Sequence, residues 1–470
     1  MFKIKKICCI GAGYVGGPTM SVIADNCPNI EVTVVDKDDK KIAAWNDKNL
    51  NNLPIFEPGL KEVVSRNRNK NLFFSTDIKN SIKNADMVFI SVNTPTKNKG
   101  FGAGYASDLK WVESCARQVS KYSRGHTIIV EKSTVPVKTA ELIEEILVSN
   151  KKVKNISKKT FSVLSSPEFL AEGTAIKDLE NPDRVLIGGS DKFAINQLRD
   201  IYLRWIPEEK ILLTNIWSSE LSKLIANAFL AQRVSSINSI SALCESTGAD
   251  IKEVVKAIGS DKRIGNKFLS PGPGFGGSCF KKDILNLVYL CRFYKLDTIA
   301  EYWEQVMLIN NWQKQRISAL VVEKLYGTVS NKKILMLGFS FKSNTNDTRE
   351  SPAIAIAKDL IDNGAELLVN DPKVTKNQIE KEIGIKELDI EEISYGKWEF
   401  VTDIYDASNG ADAVILITDW DNYKNLNWEK ISSLLRKPSW IFDTRGIISD
   451  DLLLKINSNF WQVGYPMTNS

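Results

Sequence analysis

Ile10-Gly11-Ala12-Gly13-Tyr14-Val15-Gly16 follows a short apolar run and precedes a helical pattern, so G-x-G-x-x-G stands between a strand and a helix. The first glycine allows a tight turn, the second lets a pyrophosphate approach the backbone, and the third lets helix and sheet pack closely. The next apolar strand, Val32 to Val35, ends at Asp36. That is about the twenty-residue offset at which a carboxylate binds a ribose 2′-hydroxyl. A carboxylate there repels a 2′-phosphate and favours NAD over NADP, a preference softened by Lys37, Lys40 and Lys41 nearby.

Outward from this turn the strand and helix patterns alternate. Ala85 to Val92 reads as a buried strand leading to Asn93-Thr94-Pro95-Thr96, and Thr127 to Val130 ends in Glu131-Lys132-Ser133-Thr134. Open α/β sheets bind ligands outside the carboxyl ends of their strands, which places Thr94, Lys132, Ser133 and Thr134 at the crevice. Turn chemistry is an equal account of Ser133. After a lysine-rich stretch near 150–159, the strand 161–166 gives way to Pro167-Glu168-Phe169-Leu170-Ala171-Glu172-Gly173. Proline suits a helix start, which would put Glu168 and Glu172 one turn apart on one face.

The chain has a single histidine, His126, which argues against a zinc site or a histidine-based triad. Proton carriers must then be carboxylates, lysines, hydroxyls or water, and Glu168 becomes a candidate base. From Trp217 to Ser246 runs a long helical pattern without proline or glycine, rich in small residues, which suits a spine that also packs on a partner subunit. Lys223 and Asn227, one turn apart on it, can point together into a site.

Pro271-Gly272-Pro273-Gly274-Phe275-Gly276-Gly277-Ser278-Cys279-Phe280-Lys281-Lys282-Asp283 is a glycine-rich loop ending in a cysteine. Its glycines would let a ligand reach main-chain N–H groups. Ile284, Leu287, Val288 and Cys291 continue at helical spacing, so Ser278 is expected as the N-cap and Cys279 as the first helical residue. There the helix dipole favours a thiolate, with Lys282 and Asp283 on the same face. Arg263, just upstream, is placed to reach phosphate. From about residue 330 a second α/β unit begins at Lys332 to Gly338, whose turn lacks the full glycine pattern and so holds something other than a dinucleotide. Lys342, Asp347, Arg349 and Arg445 offer it charge for a nucleotide diphosphate.

The fold expected is α/β, with two Rossmann-like doubly wound domains joined by a long central helix. The boundaries are 1–215 for the NAD-binding domain, 216–328 for a central helical region carrying the cysteine loop, and 329–470 for the second Rossmann-like domain. With 470 residues, 43% hydrophobic and 25% charged, the chain is an ordinary soluble one. A net charge of +5 with interspersed signs argues against a nucleic-acid surface. No run is long enough to span a bilayer. Seven cysteines without CxxC spacing fit reduced thiols, and a cytoplasmic location is expected.

These motifs strongly resemble the UDP-glucose/GDP-mannose dehydrogenase family, in particular its animal-type UDP-glucose 6-dehydrogenases. Ile10 to Gly16, Ser91 to Thr96, Glu131 to Pro136, Pro167 to Gly173, Lys223 to Asn238, Arg263 to Phe268, Gly274 to Asp283 and Phe341-Lys342 carry the likeness over essentially the whole chain. The resemblance implies oxidation of UDP-glucose to UDP-glucuronate with two NAD through a cysteine-bound intermediate, and no metal. It implies Cys279 as nucleophile, with Lys223 and Asp283 for the oxyanion and the hydrolytic water, Glu168 with Thr134 for proton transfer, and Asn227 beside them. Cofactor contacts implied are Gly11, Gly13, Tyr14, Val15, Gly16, Asp36, Lys41, Val92, Asn93, Thr94, Ser133, Thr134, Glu172, Cys279, Lys282 and Arg349. Those implied for substrate are Glu168 to Glu172, Lys223, Asn227, Arg263, Phe268, Ser270, Gly274, Phe275, Gly276, Phe341, Lys342 and Arg445, with Arg263 reaching a neighbouring subunit. It further implies a homo-oligomer, a dimer or a hexamer of three dimers, and UDP-xylose as feedback inhibitor. Oxidation of another nucleotide sugar, GDP-mannose or a UDP-N-acetylhexosamine, is the alternative. Lys41 stands where many relatives have arginine.

Overall fold

The computed structural model describes residues 3–149, 159–385 and 396–466. The lysine-rich stretch noted above lies outside them except for Lys159. The chain divides into two compact units, Met1–Ala226 with Leu285–Phe293, and Asn227–Ile284 with Tyr294–Ser470.

In the first unit the strands are β1 (Lys6–Ile10), β2 (Glu31–Val35), β3 (Leu72–Ser75), β4 (Met87–Ile90), β5 (His126–Glu131), β6 (Thr160–Ser165), β7 (Val185–Gly188) and β8 (Ile211–Thr214). They form one sheet in the order β3-β2-β1-β4-β5-β6-β7-β8. All pairs are parallel except β6 with β7. Strands buried on both faces read as continuous apolar runs, and β1 does. Alternate residues serve opposite cores: Ile7 and Cys9 join Val32, Met87 and Phe89, whereas Cys8 and Ile10 join Val35, Val88 and Ile90. The order reverses between β1 and β4, the kind of crevice where such sheets bind ligands.

In the second unit β9 (Lys333–Leu337), β10 (Glu366–Asn370), β11 (Lys397–Phe400), β12 (Ala413–Leu416), β13 (Trp440–Asp443) and β14 (Asn459–Gln462) are all parallel. Their order, β11-β10-β9-β12-β13-β14, repeats that of the first six strands of the other sheet. Gly338 after β9 matches Gly11 after β1: both have positive φ, +97° and +113°, and each amide donates to the end of the neighbouring strand, at Asn370 and Val35. Ser351 caps the helix Pro352–Asp362, whose proline sits in the first turn, where no amide is needed.

The long helix runs from Ile216 to Thr247, one residue beyond the expected span at each end. It belongs to the first unit up to Ala226 and to the second from Asn227.

Candidate active site

The glycine turn after β1 distinguishes two kinds of glycine. A Cβ on Gly11 would lie 2.1 Å from the Ser91 carbonyl oxygen, and one on Gly16 2.0 Å from that of Gly11, so both are demanded by packing. At Gly13 a Cβ would meet nothing within 4 Å, which leaves room for a ligand to approach the backbone. Trp45, fully buried, props the turn by donating from its indole Nε1 to the Ala12 carbonyl at 3.0 Å. Asp36 accepts the Ala12 amide at 3.0 Å and pairs with Lys41 Nζ at 3.0 Å. Burial opposes its ionisation, but these bonds and the Asp38 amide outweigh burial and hold the carboxyl below its ordinary range. The residues present therefore fit a dinucleotide. At the ends of β4 and β5, Thr94 Oγ1 donates to the Thr134 carbonyl at 2.7 Å. Ser133 bridges the strands: its hydroxyl donates to the Val92 carbonyl at 2.8 Å and accepts the Val92 amide at 3.0 Å. Tyr14 and Val15 are half-buried in the glycine turn, and Asn93 is exposed beside Thr94.

Glu168 and Glu172 do not share a helix face. Residues 166–171 belong to no helix or strand, Gly173 turns at a φ of +86°, and the helix begins only at Ala175. Two carboxylates, one remote and one local, hold the segment in this shape: Glu57 accepts the amides of Gly173 and Ala175, and Asp178 accepts that of Ala171. Glu168 meets Lys223, with Nζ 3.1 Å from Oε2, and the same oxygen accepts the Leu170 amide at 3.0 Å. Both side chains are more than 90% buried, so each charge needs the other. Phe169 lies under the Arg184 guanidinium at 3.8 Å and the Lys223 ammonium at 5.4 Å.

The cysteine helix spans Phe280–Phe293, in the second unit as far as Ile284 and in the first from Leu285, and Cys279 is its cap position and not its first residue, as the Asp283 amide on the Cys279 carbonyl at 2.9 Å shows. Ser278 lies one place too early, and its hydroxyl is 3.6 Å from the sulfur. The loop glycines are also explained differently from the sequence expectation. A Cβ on Gly276 would strike the Glu350 carbonyl at 2.7 Å and Phe341 at 2.8 Å, and one on Gly274 would meet Asn310 Oδ1 at 2.8 Å. Their amide neighbours are occupied by the chain itself. Asn238 accepts the Gly272 amide, Asn310 that of Phe275, and the Arg349 carbonyl that of Gly277, each at 2.8 Å. Gln313 donates to the Gly272 carbonyl. These braces were not found from sequence; buried amides at Asn310 and Gln313, one turn apart in the helix Asp297–Lys324, were the available signal.

Asp283, buried one turn after the thiol, accepts from Asn227 Nδ2 at 2.6 Å and pairs with Lys282 at 3.4 Å. Cys279 is half-buried, whereas the other six cysteines are buried. Burial pushes the thiols of all six upward, that of Cys115 to about 12. Arg445 donates from Nε to the Ile417 carbonyl at 2.6 Å and from a terminal nitrogen to that of Phe341 at 3.2 Å, beside Gly272. Lys342 stands 5.5 Å from the Phe341 ring centre, and Arg349 Nε donates to Asp347 at 2.9 Å. Ser270 is exposed at the start of the loop. Arg263 stands apart on an exposed turn, 89% exposed and paired with Asp261. Phe268, on the next turn of the chain, has a φ of +60°.

Residues 5–206 match the NAD binding domain of the UDP-glucose/GDP-mannose dehydrogenase family, residues 217–312 its central domain, and residues 335–450 its UDP binding domain. The chain belongs to this family. Within the UDP-glucose/GDP-mannose dehydrogenase family it is 56% identical to UDP-glucose 6-dehydrogenase of Gallus gallus over 96% of this chain and 90% of the other. It is 52% identical to UDP-glucose 6-dehydrogenase 1 of Glycine max over 98% and 97%. Among solved structures, a UDP-glucose dehydrogenase from Pyrobaculum islandicum superposes with a TM-score of 0.82 at 28% identity, covering 98% of both chains. The family's NAD-binding domain and the open approach at Gly13 agree that the cofactor is NAD.

If Asp36 reads the ribose hydroxyls, Asp36→Ala is expected to raise KM for NAD about ten- to hundredfold, the worth of a hydrogen bond to a charged group, and to narrow the preference over NADP. Steady-state kinetics with each cofactor checks this, and an unchanged preference would remove Asp36 from recognition.

Proposed function

We propose that this chain oxidises the C6 alcohol of UDP-glucose to the carboxylate of UDP-glucuronate, removing four electrons with two NAD. The observation that carries the reading is Cys279: the one half-exposed thiol, at a helix cap, followed one turn later by a buried carboxylate. Relatives that share more than half of their residues with this chain support UDP-glucose as the sugar nucleotide. When bound, NAD accepts a hydride at each of two steps.

The rest is done by side chains. Loss of hydride and proton from the alcohol gives an aldehyde, which has no second hydride to give until a nucleophile adds. The Cys279 thiolate forms a C–S bond to that carbon, and the Lys223 ammonium steadies the oxyanion that results. Loss of the second hydride leaves a thioester on Cys279. Glu168, with Thr134, takes a proton from water as it attacks; the C–S bond breaks and the thiolate returns. Asp283, fixed by Asn227 and Lys282, orients the water and oxyanion. Phe341, Lys342, Arg445 and the loop from Ser270 to Gly276 take the UDP portion, Phe169 to Glu172 the sugar, and Arg349 and Lys282 the cofactor.

The expected count is two NADH made per UDP-glucose consumed, measured by absorbance against chromatographic loss of the sugar nucleotide. One NADH per sugar, or turnover confined to GDP-mannose or a UDP-N-acetylhexosamine, would overturn the reading. Assembly into dimers on the long helix is supported by Trp217, Leu221, Phe229, Ile240 and Leu243, all apolar and exposed on it. Arg263 then serves a partner's site, and three dimers make a hexamer; a solution mass of one chain would exclude both. UDP-xylose is the proposed feedback inhibitor, by family likeness, and inhibition kinetics would test it. Among the described residues no helix is long and apolar enough to cross a membrane. The unbridged cysteines support a reducing compartment, the cytoplasm.

A further inference from the structure

We propose that Glu57 is a positioning residue for the base at Glu168. Glu57 is 5% exposed, and each oxygen of its carboxylate faces a segment more than a hundred residues away in sequence. One accepts the Gly173 amide at 2.7 Å and the other the Ala175 amide at 3.2 Å. Burying a carboxylate costs several kcal/mol unless its lone pairs are satisfied, so these bonds hold both partners firmly. Behind Glu57 the chain turns at Gly59, with φ +82°, where a Cβ would come within 3.3 Å of Ile176, the residue after Ala175. The two segments are thus locked at the carboxylate and at this packed turn.

What this lock controls is Glu168. The segment from Glu168 to Gly173 has no helix or strand of its own. Thr174, at the helix cap position, makes no side-chain cap bond, so Glu57 supplies that role from a distance. With Gly173 and Ala175 anchored by Glu57 and Ala171 by Asp178, the remaining residues reach back to Glu168 with little slack, and its oxygen meets Lys223. Misplacement of a reacting group by about 1 Å costs on the order of a hundredfold. Glu57 touches neither reactant nor cofactor in this account; it acts through Glu168.

The inference rests on Glu168 as the base for thioester hydrolysis, and the test separates the two. Full-length Glu57→Gln is mixed rapidly with UDP-glucose and NAD, and NADH is followed from the first turnover. The hydride steps do not need the base of the last step, so a burst of NADH is expected to persist, followed by a steady rate at least about tenfold below that of the unaltered chain. Val119→Ala, a fully buried change in the helix Lys110–Tyr122, which packs in the other core of this sheet, loses stability without touching the lock and is expected to keep the unaltered ratio of burst to steady rate. Glu57→Gln with that same ratio, or with burst and steady rate lowered together, would overturn the proposal. Glu168→Gln is run alongside: if it gives no burst, the base assignment fails; if it bursts and Glu57→Gln does not, only Glu57 is wrongly placed. Should Glu57→Gln fail to fold, Glu57→Asp, which keeps the charge and withdraws the oxygens by one methylene, takes its place under the same criteria.

Discussion

Cys279→Ser is expected to make no UDP-glucuronate, with net turnover lower by about a thousandfold or more, on the order of 4 kcal/mol in the barrier. A serine hydroxyl is a far weaker nucleophile at neutral pH than a thiolate, so an aldehyde formed by the first step stays uncaptured or is held as an adduct that cannot be hydrolysed. The substitution leaves in place the bonds that hold the amides of Gly272, Phe275 and Gly277, which go to Asn238, Asn310 and the Arg349 carbonyl. Affinity for UDP should therefore change less than about twofold, a few tenths of a kcal/mol. Calorimetric titration with UDP and mass analysis of the sugar nucleotide after long incubation check both halves. Acid formed at an unimpaired rate would remove the sulfur from the mechanism.

The second large effect is at Lys223. If Lys223 steadies the oxyanion as proposed, Lys223→Met is expected to cost about a hundred- to a thousandfold in kcat. It also strands Glu168, whose side chain is 8% exposed, without its partner. Breaking a buried pair from one side costs about 3–5 kcal/mol. Two consequences with different remedies follow. Adding Glu168→Gln to Lys223→Met should restore most of the lost stability, because no unpaired charge remains, while kcat stays low or falls further. Thermal melts and steady-state rates on the two single variants and the double variant form the cycle that measures this. Recovery of activity in the double variant would mean that the pair is structural only.

Much of this was legible in the sequence, for local reasons. The roles of Gly11 and Gly16 are set by atoms a few residues away or on the next strand, so spacing alone identified them. The second unit was readable as a Rossmann-like domain because its strands are continuous apolar runs ending in turn residues. The 166–173 segment was misread as helical because proline followed by acids is a helix-start signal. The bonds that hold it otherwise come from Glu57, 116 and 118 positions away from their partners. Asn238, Asn310 and Gln313 escaped for the same reason: each holds a loop residue 34 to 41 positions off, and polar residues in a long helix carry no mark of such a partner.

The two sheets share one strand order, and the acids that follow their second strands begin alike: Asp36 accepts the amides of Ala12 and Asp38, and Asp371 those of Phe339 and Lys373. Asp36 leaves the approach at Gly13 open. Asp371 after β10 is turned inward: it binds the amides of Phe339, Ser340, Lys373 and Val374, and the wholly buried Phe339 occupies the position next to Gly338. Asp371 takes two further amides and is only 4% exposed, and a phenyl ring stands where Ala12 stands in the other copy. One blueprint thus yields two receptors of different appetite, and the divergence needs no change of topology, only a bulkier residue beside the glycine and two more bonds to the aspartate.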